Sequence, residues 1–116
     1  MSQHLDRAQL LMEQRRLPEA EKELAQALQE NPESGSVFRL LALCKIMGQN
    51  YPAALAPAQK ALALDPDDPS NHYILAVVYF YNNQSEQAKS LIRSGLNLNP
   101  YMPNMFELAG EIAMHE

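Results

Sequence analysis

Tryptophan is absent from this chain, cysteine occurs once and glycine four times, and the nine Lys and Arg are outnumbered by fourteen Asp and Glu, for a net charge of -5. Each shortage excludes something. A lone Cys44 cannot build an internal disulfide framework, which permits a reducing compartment. Four scattered glycines leave no Gly-rich loop to cradle a phosphate. The acidic balance argues against nucleic acid and against an anionic membrane surface, because both need a basic face. No apolar run approaches the ~20 residues of a membrane span. The start, Met-Ser-Gln-His-Leu-Asp-Arg, lacks the charged-then-apolar order of a signal peptide. The expectation is a cytoplasmic chain with no membrane insertion.

Reactive groups are as sparse. His115 has no second His or Cys at ligand spacing, so no zinc or other metal site is expected. Asp65, Asp67 and Asp68 form the one carboxylate cluster and read as turn and cap residues. Neither a catalytic residue nor a cofactor is expected, and the chain reads as no enzyme.

What is present is a period. Pro32, Pro66 and Pro100 stand 34 residues apart, each after Asn or Asp. The same step links Ala8, Ala42, Ala76 and Gly110, then Ala20, Ala54 and Ala88, then Ala27, Ala61 and Gly95, and the leucines Leu28, Leu62 and Leu96. Five columns in one register mark a repeated supersecondary unit. Small residues at such spacing let helices cross closely, so the columns predict contact seams between antiparallel neighbours.

In that pattern the chain resembles the tetratricopeptide repeat family, a helix–turn–helix unit of 34 residues. Repeats fall at 1–34, 35–68 and 69–102, with the first half of a fourth at 103–116, so one domain covers 1–116. The resemblance implies an all-α, right-handed superhelical solenoid of antiparallel helix pairs, three full repeats plus a half repeat. Helices are predicted at 2–15, 18–31, 35–48, 52–65, 69–82, 86–99 and 103–115. Pro18, Pro52, Pro69 and Pro103 suit first turns, where a missing N–H costs nothing. Asp68 and Ser85 are expected N-caps, and Pro57 predicts a kink or shift in its helix. His4 and His72, with Phe38 and Phe106, stand where the family places a large packing residue, and Cys44 shares its column with Leu10, Val78 and Ile112 as a small buried hydrophobe.

The apolar run Tyr73 to Tyr81 looks like a buried strand when read alone, yet the register makes it the first helix of the third repeat. In this family first helices line a concave groove. Projected onto that face are Ser2, Leu5, Asp6, Gln9, Met12 and Glu13, then Ser36, Arg39, Leu40, Leu43 and Met47. They are followed by Ser70, Tyr73, Ile74, Val77 and Tyr81, with Ile46 and Phe80 at the edge, and then by Asn104, Glu107, Leu108, Glu111, Met114 and His115. Leu40, Leu43, Met47, Ile74 and Val77 exceed what repeat packing needs, and together they would overrun the few hundred Å² usual for an exposed apolar patch. They are expected to need a cover, which would be a partner's apolar or amphipathic peptide segment, another copy, or a missing part of a longer parent chain. The expected partner-binding groove is therefore Met12, Arg39, Leu40, Leu43, Met47, Tyr73, Ile74, Val77 and Tyr81.

Members that bind the acidic tails of cytosolic chaperones use a clamp of Lys, Asn and Arg. The matching positions here are Leu5, Gln9, Leu40, Ser70 and Ile74, so such docking is not expected. An apolar groove is closer in character to members that chaperone secretion-system subunits. The last segment has small residues that normally receive a second helix, and reads as a fragment cut mid-repeat. Phe106, Ala109, Gly110 and Ala113 there form a candidate seam for a homodimer.

Overall fold

The computed structural model describes residues 3–115. Seven helices follow one another: α1 Gln3–Glu13, α2 Leu17–Glu30, α3 Gly35–Met47, α4 Tyr51–Leu64, α5 Pro69–Tyr81, α6 Ser85–Leu98 and α7 Pro103–Met114. Every predicted helix is present, and no strand occurs among the described residues. The run from Tyr73 to Tyr81 is helical, as the register requires.

Local chemistry sets the boundaries. A proline occupies the first turn of α2, α4, α5 and α7. Asp68 caps α5, its carboxylate accepting from the Ser70 N–H at 2.9 Å. Ser34, one repeat earlier, caps α3 by accepting from the Val37 N–H. Ser85 is not a cap: it is the first helical residue of α6, and Gln84 stands at the cap position without a side-chain bond. α4 runs on through Pro57 to Leu64 without terminating.

The turn inside each pair has a fixed form. Arg15, Gln49 and Asn83 adopt φ of 63, 61 and 62°. The residue after each donates back to the carbonyl five positions earlier, Arg16 to Leu11, Asn50 to Lys45 and Gln84 to Tyr79. That left-handed residue with its 6→1 bond is a Schellman-type stop, which reverses the chain tightly enough to lay the next helix antiparallel.

Packing proceeds from neighbour to neighbour. Besides consecutive contacts, α1 touches α3, α3 touches α5 and α5 touches α7, whereas no even-numbered pair meets among the described residues. The odd helices are therefore the inner layer of a curved two-layer stack and the even helices the splayed outer layer. Three apolar clusters run along it: one around Ala8, Leu24 and Val37, a middle one around Ala42, Leu75 and Val78, and one around Ile92, Met105 and Ile112. Ala8, Ala20, Ala42, Ala54, Ala76 and Ala88 are all 0% exposed, which is where the helices of each pair cross. Gly95 stands where Ala27 and Ala61 stand in earlier repeats, because a Cβ there would run into the buried Met105 methyl and press on His72. An added Cβ at Gly110 meets nothing within 4 Å.

Candidate functional site

At the N-terminal half of the inner layer, α1 and α3 enclose a cleft of about 380 Å³ lined by Gln9, Met12, Glu13, Leu40, Leu43 and Met47. All six belong to the groove face projected from the sequence. Met12 is buried and forms the floor, while Leu40, Leu43 and Met47 are half-buried and form the wall.

Further along, the structure corrects one expectation. Ile74 and Val77 are each only 8% exposed. Ile74 packs in the middle cluster with Ala42 and Leu75, and Val77 packs with Ile92 and Leu108. They are not surplus apolar surface, because α5 touches α3, α4, α6 and α7 and has almost no free face. The open apolar surface is therefore smaller than the sequence suggests, and rests on Leu40, Leu43, Met47 and Tyr73.

Arg39 is present but occupied. Its guanidinium donates to Asp68 at 2.8 Å and to Asn71 at 3.0 Å. Burial would push the Asp68 carboxyl up, but the Ser70 N–H and the Arg39 guanidinium outweigh it and hold the carboxyl below its usual range. Asn71, fully buried, donates in turn to the Ala61 and Asp65 carbonyls at 3.2 and 3.0 Å, tying the end of α4 to α5. His72 donates from Nε2 to the Pro66 carbonyl at 2.7 Å. His4 reaches Glu23 and Glu30 of α2 at 2.6 and 3.0 Å, a polar strut rather than an apolar packing residue. Cys44 is buried, and burial pushes its thiol up to about 11, which suppresses the nucleophilic thiolate.

The C-terminal half of the inner layer has a different character. Tyr81 is 45% exposed and stacks on Tyr51 with ring centroids 4.5 Å apart. Phe80 lies 5.2 Å from Tyr81 and 5.6 Å from His115. These rings border a pocket of about 410 Å³ whose walls include Phe80, Tyr81, Glu111 and His115. Burial and the carboxylates of Glu111 and Glu107 raise the Tyr73 hydroxyl, and burial, Glu111 and Tyr51 raise that of Tyr81. Tyr51 comes from the outer layer and was not visible as a site residue in sequence, although it heads α4 one repeat after Leu17.

At the terminal seam, Ala109 and Ala113 line a slot of about 390 Å³ with Ile92 and Ile112, flanked by Lys89 and Arg93. Phe106, 57% exposed, and Gly110 lie open beside it. A larger cleft, about 570 Å³, sits at the other end between α1 and α2. Its walls mix Arg7, Arg16 and Lys22 with Glu19 and Glu23, and Arg16 already pairs with Glu19 at 2.7 Å, so it is a solvated depression. Ser2 of the projected groove lies outside the described residues. Among the described residues no cluster of His, Cys, Asp or Glu could hold a metal ion, and no helix is long and apolar enough to cross a membrane.

Comparison with known proteins agrees with this architecture. A family model described as Tetratricopeptide repeat matches residues 5–69, and one described as Anaphase-promoting complex, cyclosome, subunit 3 matches residues 47–115. The chain belongs to the tetratricopeptide repeat family. It is 28% identical over 90 residues to the Hsp70-Hsp90 organizing protein of Triticum aestivum, a match spanning 78% of this chain but 16% of that protein. The chain thus corresponds to a small part of its curated relative's length. The first TPR of Spaghetti (RPAP3) bound to HSP90 peptide SRMEEVD superposes with a TM-score of 0.90 at 15% identity, over 97% of this chain and 89% of that one. The Yersinia enterocolitica type III secretion translocator chaperone SycD gives 0.81 at 16% identity, over 97% and 85%. At these identities the two structures speak for the fold.

Proposed function

We propose that this chain is a non-catalytic protein–protein interaction module that takes an apolar or amphipathic peptide segment of a partner protein along its inner layer. Leu40, Leu43, Met47 and Tyr73 would supply open contacts, Met12, Ile74 and Val77 the floor beneath them, and Tyr81 an aromatic anchor. The observation that carries this is the cleft between α1 and α3, where partly exposed Leu and Met side chains flank one another in a concave surface. Methionine suits such a wall because its unbranched thioether adapts to varied ligands.

The peptide in the RPAP3 complex ends in Glu-Glu-Val-Asp. Nothing here favours a similar tail. Leu5, Gln9, Leu40, Ser70 and Ile74 stand where the clamp would need Lys, Asn and Arg, and the Arg39 guanidinium on this face is already paired with Asp68.

A second reading, self-assembly, rests on the slot beside Gly110. There Phe106, Ala109, Gly110 and Ala113 face the place that a second helix fills in the other three repeats, and a second copy would cover it as a homodimer. A covering segment from a longer parent chain would serve the same end.

Selection of phage-displayed random 12-residue peptides on the purified chain separates the readings. Selected peptides are expected to bind the wild type and to lose binding to Leu43→Glu, a half-buried position whose replacement leaves the fold intact by circular dichroism. Val77 is a poor choice for this test because its burial would turn a charge into an unfolding mutation. Peptides that bind Leu43→Glu unchanged overturn the groove reading. A concentration-dependent dimer broken by Gly110→Arg in light scattering would establish the second.

A further inference from the structure

We infer that the C-terminal end of the inner layer holds a pocket for a cationic side chain, a lysine or arginine of the bound segment, read by Phe80, Tyr81 and Glu111. The inference rests on the proposed peptide groove and adds to it the charge of its ligand.

The pocket is shaped for a long side chain. Its volume of about 410 Å³ opens between the end of α5 and the end of α7. Aromatic rings meet at its border: Tyr81 is held in place by stacking on Tyr51, and Phe80 is tilted against Tyr81 and His115. Ring faces carry negative partial charge and attract a guanidinium or ammonium within about 6 Å. The stem of Lys or Arg would pack along Phe80 while the head met Glu111.

The electrostatics point the same way. Neither Lys nor Arg lines the pocket, and Glu111, exposed on α7, pairs with no cation among the described residues. Its carboxylate and that of Glu107 also bear on the Tyr73 hydroxyl, so the negative field reaches back along α5. At the other end of the layer Glu13 lines the α1/α3 cleft. Between these acids the guanidinium of Arg39 is neutralised by Asp68. A segment with aliphatic anchors and a basic flank complements the whole face, the reverse of an acidic tail.

Peptide selection tests this directly. Random 12-residue peptides selected on wild type are expected to share Lys or Arg at a fixed distance from an aliphatic anchor. Selection on Glu111→Lys should replace that residue with Asp or Glu. A synthetic selected peptide in which the shared Arg becomes norleucine should bind wild type about five-fold more weakly or worse, and lose less than about two-fold on Glu111→Gln. Peptides without a basic preference, or an equal loss on both proteins, overturn the cationic pocket and leave the Leu43 groove standing. Failure to select any peptide sinks the groove itself, and the pocket with it.

Discussion

Two clefts of nearly equal size have opposite meanings. The one between α1 and α3, about 380 Å³, lies on the inner layer and is bounded by long flexible side chains. The one between α6 and α7, about 390 Å³, lies at the end of the stack and is bounded by Ala109, Ala113, Ile92 and Ile112. The register explains the second. Ala8, Ala42 and Ala76 are completely buried by the helix that follows each, while Gly110 in the same column is exposed with empty space around it. A small residue at these crossings is thus demanded by the helix packed on it, and at Gly110 no helix among the described residues makes that demand. Nothing in the repeat register calls for an opening between α1 and α3, and so that cleft is the better candidate for a ligand.

The sharpest test of that contrast substitutes the same residue in a closed and an open seam. Ala76→Leu should cost about 3 kcal/mol in urea unfolding, because the crossing has no room for the added atoms. Gly110→Leu should hold or raise stability, since leucine is the better helix former by up to about 1 kcal/mol. Equal losses would mean that the terminal seam is filled in solution. At the inner cleft, Leu43→Glu should weaken a selected peptide about thirty-fold, the effect of losing roughly 2 kcal/mol at a central contact, measured by fluorescence anisotropy.

Asp68 links stability to the charge of the groove. Asp68→Ala removes the α5 cap and should cost about 1 kcal/mol by thermal unfolding. It also frees Arg39, so acidic peptides should gain affinity for the variant. Because the folded structure holds the Asp68 carboxyl below its ordinary range, its contribution is present above about pH 4 and lost as pH falls through its lowered value. Asp68→Asn should therefore show a shallower acid limb than wild type. The smallest expected effect lies in the turns: Gln49→Gly relieves a non-glycine residue at φ 61° and should add about 0.5 kcal/mol or slightly more. Asn83→Gly should add less, since Asn tolerates this conformation.

The seven helices and the layer that would face a ligand were legible because repetition multiplies a weak signal. One alanine means little, whereas Ala8, Ala42 and Ala76 in register fix which faces touch. The burial of Ile74 and Val77 was not legible, because a helix projected alone cannot reveal that α5 is contacted by four others. Arg15 and Gln49 gave no hint of their left-handed turns, since neither residue type favours them. Their shared spacing with Asn83 was the only available signal. Phe80, Tyr81, Glu111 and His115 were placed on the groove face one helix at a time, but their meeting in one pocket was not legible, nor was the Tyr51 ring of the outer layer that stacks on Tyr81.

The central claim, that the inner layer is the ligand surface, is tested most directly by amide hydrogen exchange of the chain with and without a saturating selected peptide. Added protection is expected in α3 from Leu40 to Met47 and in the last turns of α5, with α6 unchanged. Protection confined to α6 and α7 around Ala109 and Ala113 would contradict the account and identify the terminal seam as the binding surface.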